Sequence, residues 1–151
     1  MLSLLQGDVG SGKTIMALLS AYNTINSGYQ VAFMAPTEIL ARQHYNLAKK
    51  IFPNNKMIEL ISGKSDYKNK KIILEKLKNN KIDIIFGTHA IFQKKVNYNK
   101  LGLIIIDEQH KFGVNQRKKL SDKGGSECDV LLMTATPIPR TLTMTMYGDM
   151  D

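Results

Sequence analysis

The sequence predicts an α/β fold in which a mostly parallel central sheet carries helices on both faces. Three observations carry that expectation. Unbroken apolar, β-branched runs such as Leu103-Ile104-Ile105-Ile106 are the mark of strands buried on both sides. These runs alternate with helix-length segments, as connected parallel strands require. Glycine-rich, hydroxyl-bearing and acidic turns follow the predicted strands at their carboxyl ends, where such sheets bind ligands.

The elements follow in order. Leu2–Gln6 is a short strand, and Lys13 to about Asn26 a helix with Ile15, Leu18, Leu19 and Tyr22 at helical spacing and Gly28 as its stop. Gln30–Ala35 reads as a buried strand. Thr37 caps a helix from Glu38 to about Phe52, ended by Pro53. Met57–Ile61 is a strand closed by Ser62-Gly63, and Tyr67–Asn79 a basic amphipathic helix whose apolar stripe is Ile72, Ile73 and Leu77. Strands at Ile82–Phe86, Leu103–Asp107 and Val130–Thr134 follow. A helix at Val114–Lys123 and a loop at Gly124-Gly125-Ser126 separate the last two, and a final helix runs from Pro139 or Arg140 to Tyr147.

At 151 residues, 43% apolar and 23% charged, the composition is that of one soluble globular domain. No apolar stretch reaches the length of a membrane span, and the N-terminus does not read as a signal peptide. The single Cys128 excludes an internal disulfide framework and fits a reducing compartment, so cytoplasm is expected. The net charge of +8 suggests polyanionic partners. That signal is discounted because 18 of the 21 basic residues are Lys in a chain also rich in Ile and Asn, as codon bias would give. Ser62 to Lys81 holds seven Lys against Asp66 and Glu75, and a solvated helix face plus a loop accounts for most of them.

Gly7-Asp8-Val9-Gly10-Ser11-Gly12-Lys13-Thr14 fits the phosphate-binding pattern G-x-x-x-x-G-K-[ST] between a strand and a helix. Its backbone N–H groups and the helix N-terminus would cradle phosphates. Lys13 would reach the β- and γ-phosphates, and the Thr14 hydroxyl would ligate Mg²⁺. Asp107-Glu108-Gln109-His110 ends an apolar strand, where two carboxylates are costly unless a cation meets them. Asp107 would hold the Mg²⁺ through water, and Glu108 would orient and deprotonate an attacking water. Gln109 and His110 are less determined: the histidine is either a γ-phosphate sensor or a polar residue lining a cleft.

Thr134-Ala135-Thr136 ends another apolar strand, and its hydroxyls either bond the acidic tetrad or cap a helix before Pro137 and Pro139. Ala35-Pro36-Thr37-Glu38 and Gly87-Thr88-His89-Ala90 place small residues, hydroxyls and helix starts at strand ends. Such turns suit nucleic-acid phosphates without reading sequence, although a plain cap and turn would look the same.

In order, GDVGSGKT (7–14), APTEILARQH (35–44), GTHA (87–90), DEQHKFG (107–113) and TATPIPRT (134–141) resemble the motif set of a superfamily 2 helicase, across essentially the whole chain. Within it the chain resembles the RecG branch-migration helicases. The tetrad followed by Phe112, Gly113, Val114, Gln116 and Arg117 carries that likeness, with TATPIPRTL ahead of Tyr147-Gly148-Asp149. Transcription-repair coupling factors share TATPIPRTL but resemble Asp-Glu-Glu-His at the tetrad, so Gln109 separates the two. Lys111 stands where the family usually has Arg.

The resemblance implies a RecA-like P-loop NTPase domain serving ATP and Mg²⁺ through Lys13, Thr14, Asp107 and Glu108. Gln109, His110, Thr134 and Thr136 would couple hydrolysis to movement. Pro36, Thr37, Gly87, Thr88 and His89 would lie along the backbone of branched or single-stranded DNA. It also implies an adenine-reading segment, a wedge domain and a second RecA-like domain with an arginine finger, all outside these 151 residues. Arg140, beside Thr134–Thr136 in the same domain, cannot replace that finger. The isolated chain is therefore expected to bind nucleotide weakly and to hydrolyse it poorly. A catalytically silent nucleotide- or DNA-binding remnant is the competing reading. A P-loop kinase or GTPase is disfavoured, since neither Asn97 nor Asn115 sits in an Asn-Lys-x-Asp guanine reader.

Overall fold

The computed structural model describes residues 2–6, 11–63, 66–107 and 128–134. The elements are β1 (Leu2–Gln6), α1 (Ser11–Asn26), β2 (Gln30–Met34), α2 (Glu38–Ile51), β3 (Ile58–Leu60), α3 (Tyr67–Lys78), β4 (Ile84–Gly87), a 3₁₀ turn (His89–Phe92), β5 (Leu101–Asp107) and β6 (Asp129–Thr134). The six strands form one sheet in the order β1-β6-β5-β2-β4-β3, and every neighbouring pair is parallel. The helices expected over Val114–Lys123 and near Tyr147 lie outside the described residues.

Both faces of the sheet are covered, which explains the unbroken apolar runs. Val31 and Phe33 of β2, Ile84 and Phe86 of β4, and Leu103 and Ile105 of β5 pack under α1 and α2. The alternate residues Ala32, Met34, Ile85, Ile104 and Ile106 pack under α3 and the 3₁₀ turn. Fully burying an isoleucine of this kind contributes about 2 kcal/mol. The edge strand β3 is only partly covered, and its ladder is correspondingly shorter than the Met57–Ile61 run suggested. The strand β5 starts two residues earlier than expected. Gly102 lies there against the Tyr29 ring, which leaves no room for a Cβ.

Local signals set the helix ends. The Thr37 hydroxyl accepts from Leu40 N–H at 3.2 Å, and the Asp66 carboxylate caps α3 by accepting from Asn69 N–H at 2.8 Å. Gly28, at φ 94°, turns the chain out of α1 in a conformation other residues rarely adopt.

Two expected apolar stripes need correction. Ile15 and Leu19 of α1 are exposed, and its buried face is Thr14, Ala17, Leu18, Ala21 and Ile25. The small residues Ala17 and Ala21 let the helix lie close across the sheet, and a residue one step along the helix points about 100° away. The same rotation leaves Ile72 of α3 exposed while Ile73 and Leu77 enter the core.

Cys128 sits in the core at the entry to β6. Burial, reinforced by the adjacent Asp129 carboxylate, pushes its thiol from the ordinary 9.0 up to about 11. The thiolate is the reactive form, so iodoacetamide at pH 8 is expected to modify the native chain about a hundredfold more slowly than the urea-unfolded chain. Equal rates by mass spectrometry would show that the thiol is not held this way. Because the folded-state value is the raised one, the associated stability is complete below about pH 9 and declines as pH rises toward about 11.

Candidate nucleotide-binding site

The register brings the strand ends into one row. Gln6 lies opposite Thr134, Met133 opposite Asp107, Ile106 opposite Met34, and Met34 opposite Gly87. The segments predicted to carry chemistry therefore all leave the same edge. On that edge α1 begins with Ser11, Gly12, Lys13 and Thr14 as its first turn. A 16-residue helix directs the N–H groups of its first turn and the positive end of its dipole there. Thr14 is buried and Lys13 half-buried.

Asp107, at the tip of the central strand β5, is only 4% exposed. A carboxylate so deeply placed requires a partner, and His44 supplies one: its Nε2 lies 2.7 Å from Asp107 Oδ2. The imidazole N–H is the donor, since a carboxylate has only acceptors. His44 belongs to the buried face of α2, between Ala41 and Ala48. Its ring lies against Phe33, centroids 4.8 Å apart, and Phe33 stacks on Phe86 at 5.0 Å. The histidine is thus held by packing as well as by its hydrogen bond.

The donor set fits a hard cation that keeps most of its water. Among the described residues no group of three His, Cys, Asp or Glu side chains could cage a metal. A buried carboxylate and a buried hydroxyl on the edge where α1 starts suit Mg²⁺, which is held by one or two protein oxygens plus phosphates and water.

The two other predicted turns are neighbours. Ala35 N–H donates to the Gly87 carbonyl at 2.9 Å, joining the start of 35–38 to that of 87–90. Pro36, Thr37 and His89 are exposed and Thr88 is half-buried. The Thr37 hydroxyl is engaged as the α2 cap. Gly87 is buried, and a Cβ there would meet Ile91 Cγ2 at 2.6 Å, so close packing accounts for the glycine. The Glu38 carboxylate accepts from Gly63 N–H, tying the turn after β3 to the start of α2.

Of the predicted site residues, Ser11, Gly12, Lys13, Thr14, Pro36, Thr37, Gly87, Thr88, His89, Asp107 and the backbone of Thr134 lie among the described residues. Gly7, Asp8, Val9, Gly10, Glu108, Gln109, His110 and Thr136 lie outside them. Sequence reasoning quoted His44 as the last residue of APTEILARQH and gave it no role. Its signal was a lone polar residue on the Ala41–Ala48 face of an amphipathic helix.

Comparison with known proteins agrees with this geometry. The sequence model of the DEAD/DEAH box helicase family matches residues 3–145. The chain is 54% identical over 148 residues to the ATP-dependent DNA helicase RecG of Streptococcus pneumoniae serotype 4, covering 98% of this chain and 22% of that protein. The RecG of Borreliella burgdorferi is 53% identical over 149 residues, with the same coverage of 98% and 22%. Among solved structures, RecG bound to a three-way DNA junction superposes with a TM-score of 0.81 at 44% identity, covering 97% of this chain and 20% of that one. The chain thus spans about a fifth of the length of these relatives. The expected likeness to RecG helicases and the expected RecA-like fold both hold. With the family's sequence model matching nearly end to end and the strand-end row built as described, the chain belongs to the DEAD/DEAH box helicase family.

Proposed function

We propose that the chain is the first RecA-like motor domain, spanning residues 1–151, of a RecG-like ATP-dependent DNA helicase. Such a motor couples ATP hydrolysis to remodelling of branched DNA in repair and recombination, in the cytoplasm. The observation that carries the reading is the buried Asp107 at the tip of β5, on the edge where α1 begins with Lys13 and Thr14.

In this reading Gly7 to Gly12 wrap the phosphates with backbone N–H groups, and Lys13 neutralises the β- and γ-phosphates. Thr14 and Asp107 would hold Mg²⁺, Asp107 through water. When bound, the ion draws negative charge off the phosphate oxygens. Glu108 would orient the attacking water and take its proton, and Gln109 and His110 would help couple hydrolysis to movement. Thr134 and Thr136 would bond the tetrad and so couple its state to the rest of the domain. Pro36, Thr37, Gly87, Thr88 and His89 follow a DNA backbone, and the hydrogen bond between Ala35 and Gly87 keeps the two turns together. A second RecA-like domain would close over the phosphates from the other side.

Calorimetry tests the reading. The chain is expected to bind ATP in the presence of Mg²⁺, and Lys13→Ala to weaken that binding at least about tenfold, as loss of a charge-assisted contact implies. A chain that binds no nucleotide, or binds as well without Lys13, would refute it.

A further inference from the structure

We propose that His44 is a positioning residue for Asp107: it fixes the carboxylate's orientation and thereby sets the Mg²⁺ requirement of nucleotide binding. The inference rests on the functional reading above and assigns a role to a residue outside the phosphate and acidic motifs.

The geometry is specific. A carboxylate at the end of a strand has two equivalent oxygens and a soft terminal torsion. Here Oδ2 is committed to His44 Nε2 at 2.7 Å, with both side chains buried, at 10% exposure for the histidine and 6% for the aspartate. The imidazole cannot swing away, because Phe33 lies against its ring and Ala41 and Ala48 flank it on the buried face of α2. The hydrogen bond therefore selects which way Asp107 faces before any ion arrives. Partners of this kind behind a metal-holding group typically change metal affinity 10–100-fold when removed.

The bond also joins distant parts of the chain. His44 lies two turns beyond Thr37 and Glu38 on one continuous helix, and Asp107 is 63 residues further along the sequence. The segment proposed to follow DNA is thus joined through α2 and its His44 to the carboxylate on β5 proposed to hold the ion.

A residue that only satisfied a buried carboxylate would affect stability and leave the ion's affinity alone, so the ion is what must be measured. His44→Phe keeps a ring against Phe33 and removes the donor; His44→Gln keeps an N–H donor at similar reach. ATP binding is followed by calorimetry over a range of Mg²⁺ concentrations, and Mn²⁺ by electron paramagnetic resonance. In His44→Phe the half-saturating Mg²⁺ concentration is expected to rise about tenfold. Metal-free ATP binding should stay within about twofold, as a role confined to the carboxylate implies, and His44→Gln should recover most of the loss.

An unchanged Mg²⁺ requirement in a folded His44→Phe variant overturns the proposal, as does an equal fall in metal-free and metal-dependent binding. Should His44→Phe fail to fold, His44→Asn, whose donor falls short of Oδ2, is read in its place. The same unchanged Mg²⁺ requirement there would overturn the inference. A wild-type chain with no Mg²⁺-dependent ATP binding overturns the functional reading and this inference together. Mg²⁺-dependent binding indifferent to His44 overturns this inference alone.

Discussion

ATP turnover by this chain is expected to rise about 10³–10⁵-fold when the second motor domain of a RecG-like helicase is supplied as a separate chain, as arginine-finger contributions in P-loop enzymes imply. The carboxyl ends of the strands lie on one side of the sheet, with the α1 N-terminus, Lys13, Thr14 and Asp107 there. In the proposed reading, groups there would grip phosphates from one side. Charge that builds on the transferred phosphoryl group needs a cation from the other side. Among the described residues the one arginine is Arg42, exposed on α2, the helix whose opposite face carries His44 toward the sheet. An element packed this way cannot swing its outer face over the phosphates. The predicted gain corresponds to about 4–7 kcal/mol of barrier.

Phosphate release with DNA present measures it, for each chain alone and for the two together. A second domain with its finger arginine replaced by alanine should bind without restoring the rate. Equal turnover with and without the partner, at rates typical of whole helicases, would sink the two-sided site and favour a self-sufficient domain.

The fold was legible because its cause is local. A strand buried on both faces has no polar alternation to offer, so Leu103 to Ile106 announces both its conformation and its depth. Thr37 and Gly28 marked helix ends through chemistry confined to a single turn. The rotation of α1 was not legible for the opposite reason. Ile15, Met16, Ala17, Leu18 and Leu19 are apolar in succession, so periodicity cannot choose among them, and tertiary contact with the sheet decides for Ala17 and Leu18.

The site divides along the same line. Its phosphate and acidic motifs are contiguous in sequence. The pairing of His44 with Asp107 exists only once α2 is laid against the sheet, and nothing near either residue encodes it.

The other large expected effect lies at the opposite end of the sheet. Gln30, at the entry to β2, is 1% exposed, and both ends of its amide are hydrogen-bonded. Its Nε2 donates to the Leu77 carbonyl and to the Ile82 carbonyl, each at 3.0 Å. Its Oε1 accepts from Lys100 N–H at 3.0 Å. One side chain thereby joins the last turn of α3, the approach to β4 and the approach to β5, next to the register shift between Gln30 and Val31.

Gln30→Leu keeps much of the volume and removes all three bonds. The Leu77 carbonyl retains longer bonds from Asn80 and Asn99 N–H at 3.3 Å, so the main loss falls on Ile82 and Lys100. The buried Ile82 carbonyl and the part-buried Lys100 N–H, stripped of this partner, give an expected destabilisation of about 2 kcal/mol. Urea denaturation of the two chains measures it as a shift in midpoint at unchanged slope.

Gln30→Glu sharpens the test, because a carboxylate has no donor for the two carbonyls. At neutral pH it should cost at least as much as leucine. Protonation in acid restores one O–H donor, so the folded-state pKa of that glutamate would be raised. The Gln30→Glu chain should then recover stability relative to Gln30→Leu as pH falls through that raised value. A loss below about 1 kcal/mol in both variants, the net worth of a single ordinary hydrogen bond, would mean that the approaches to β4 and β5 are held without Gln30.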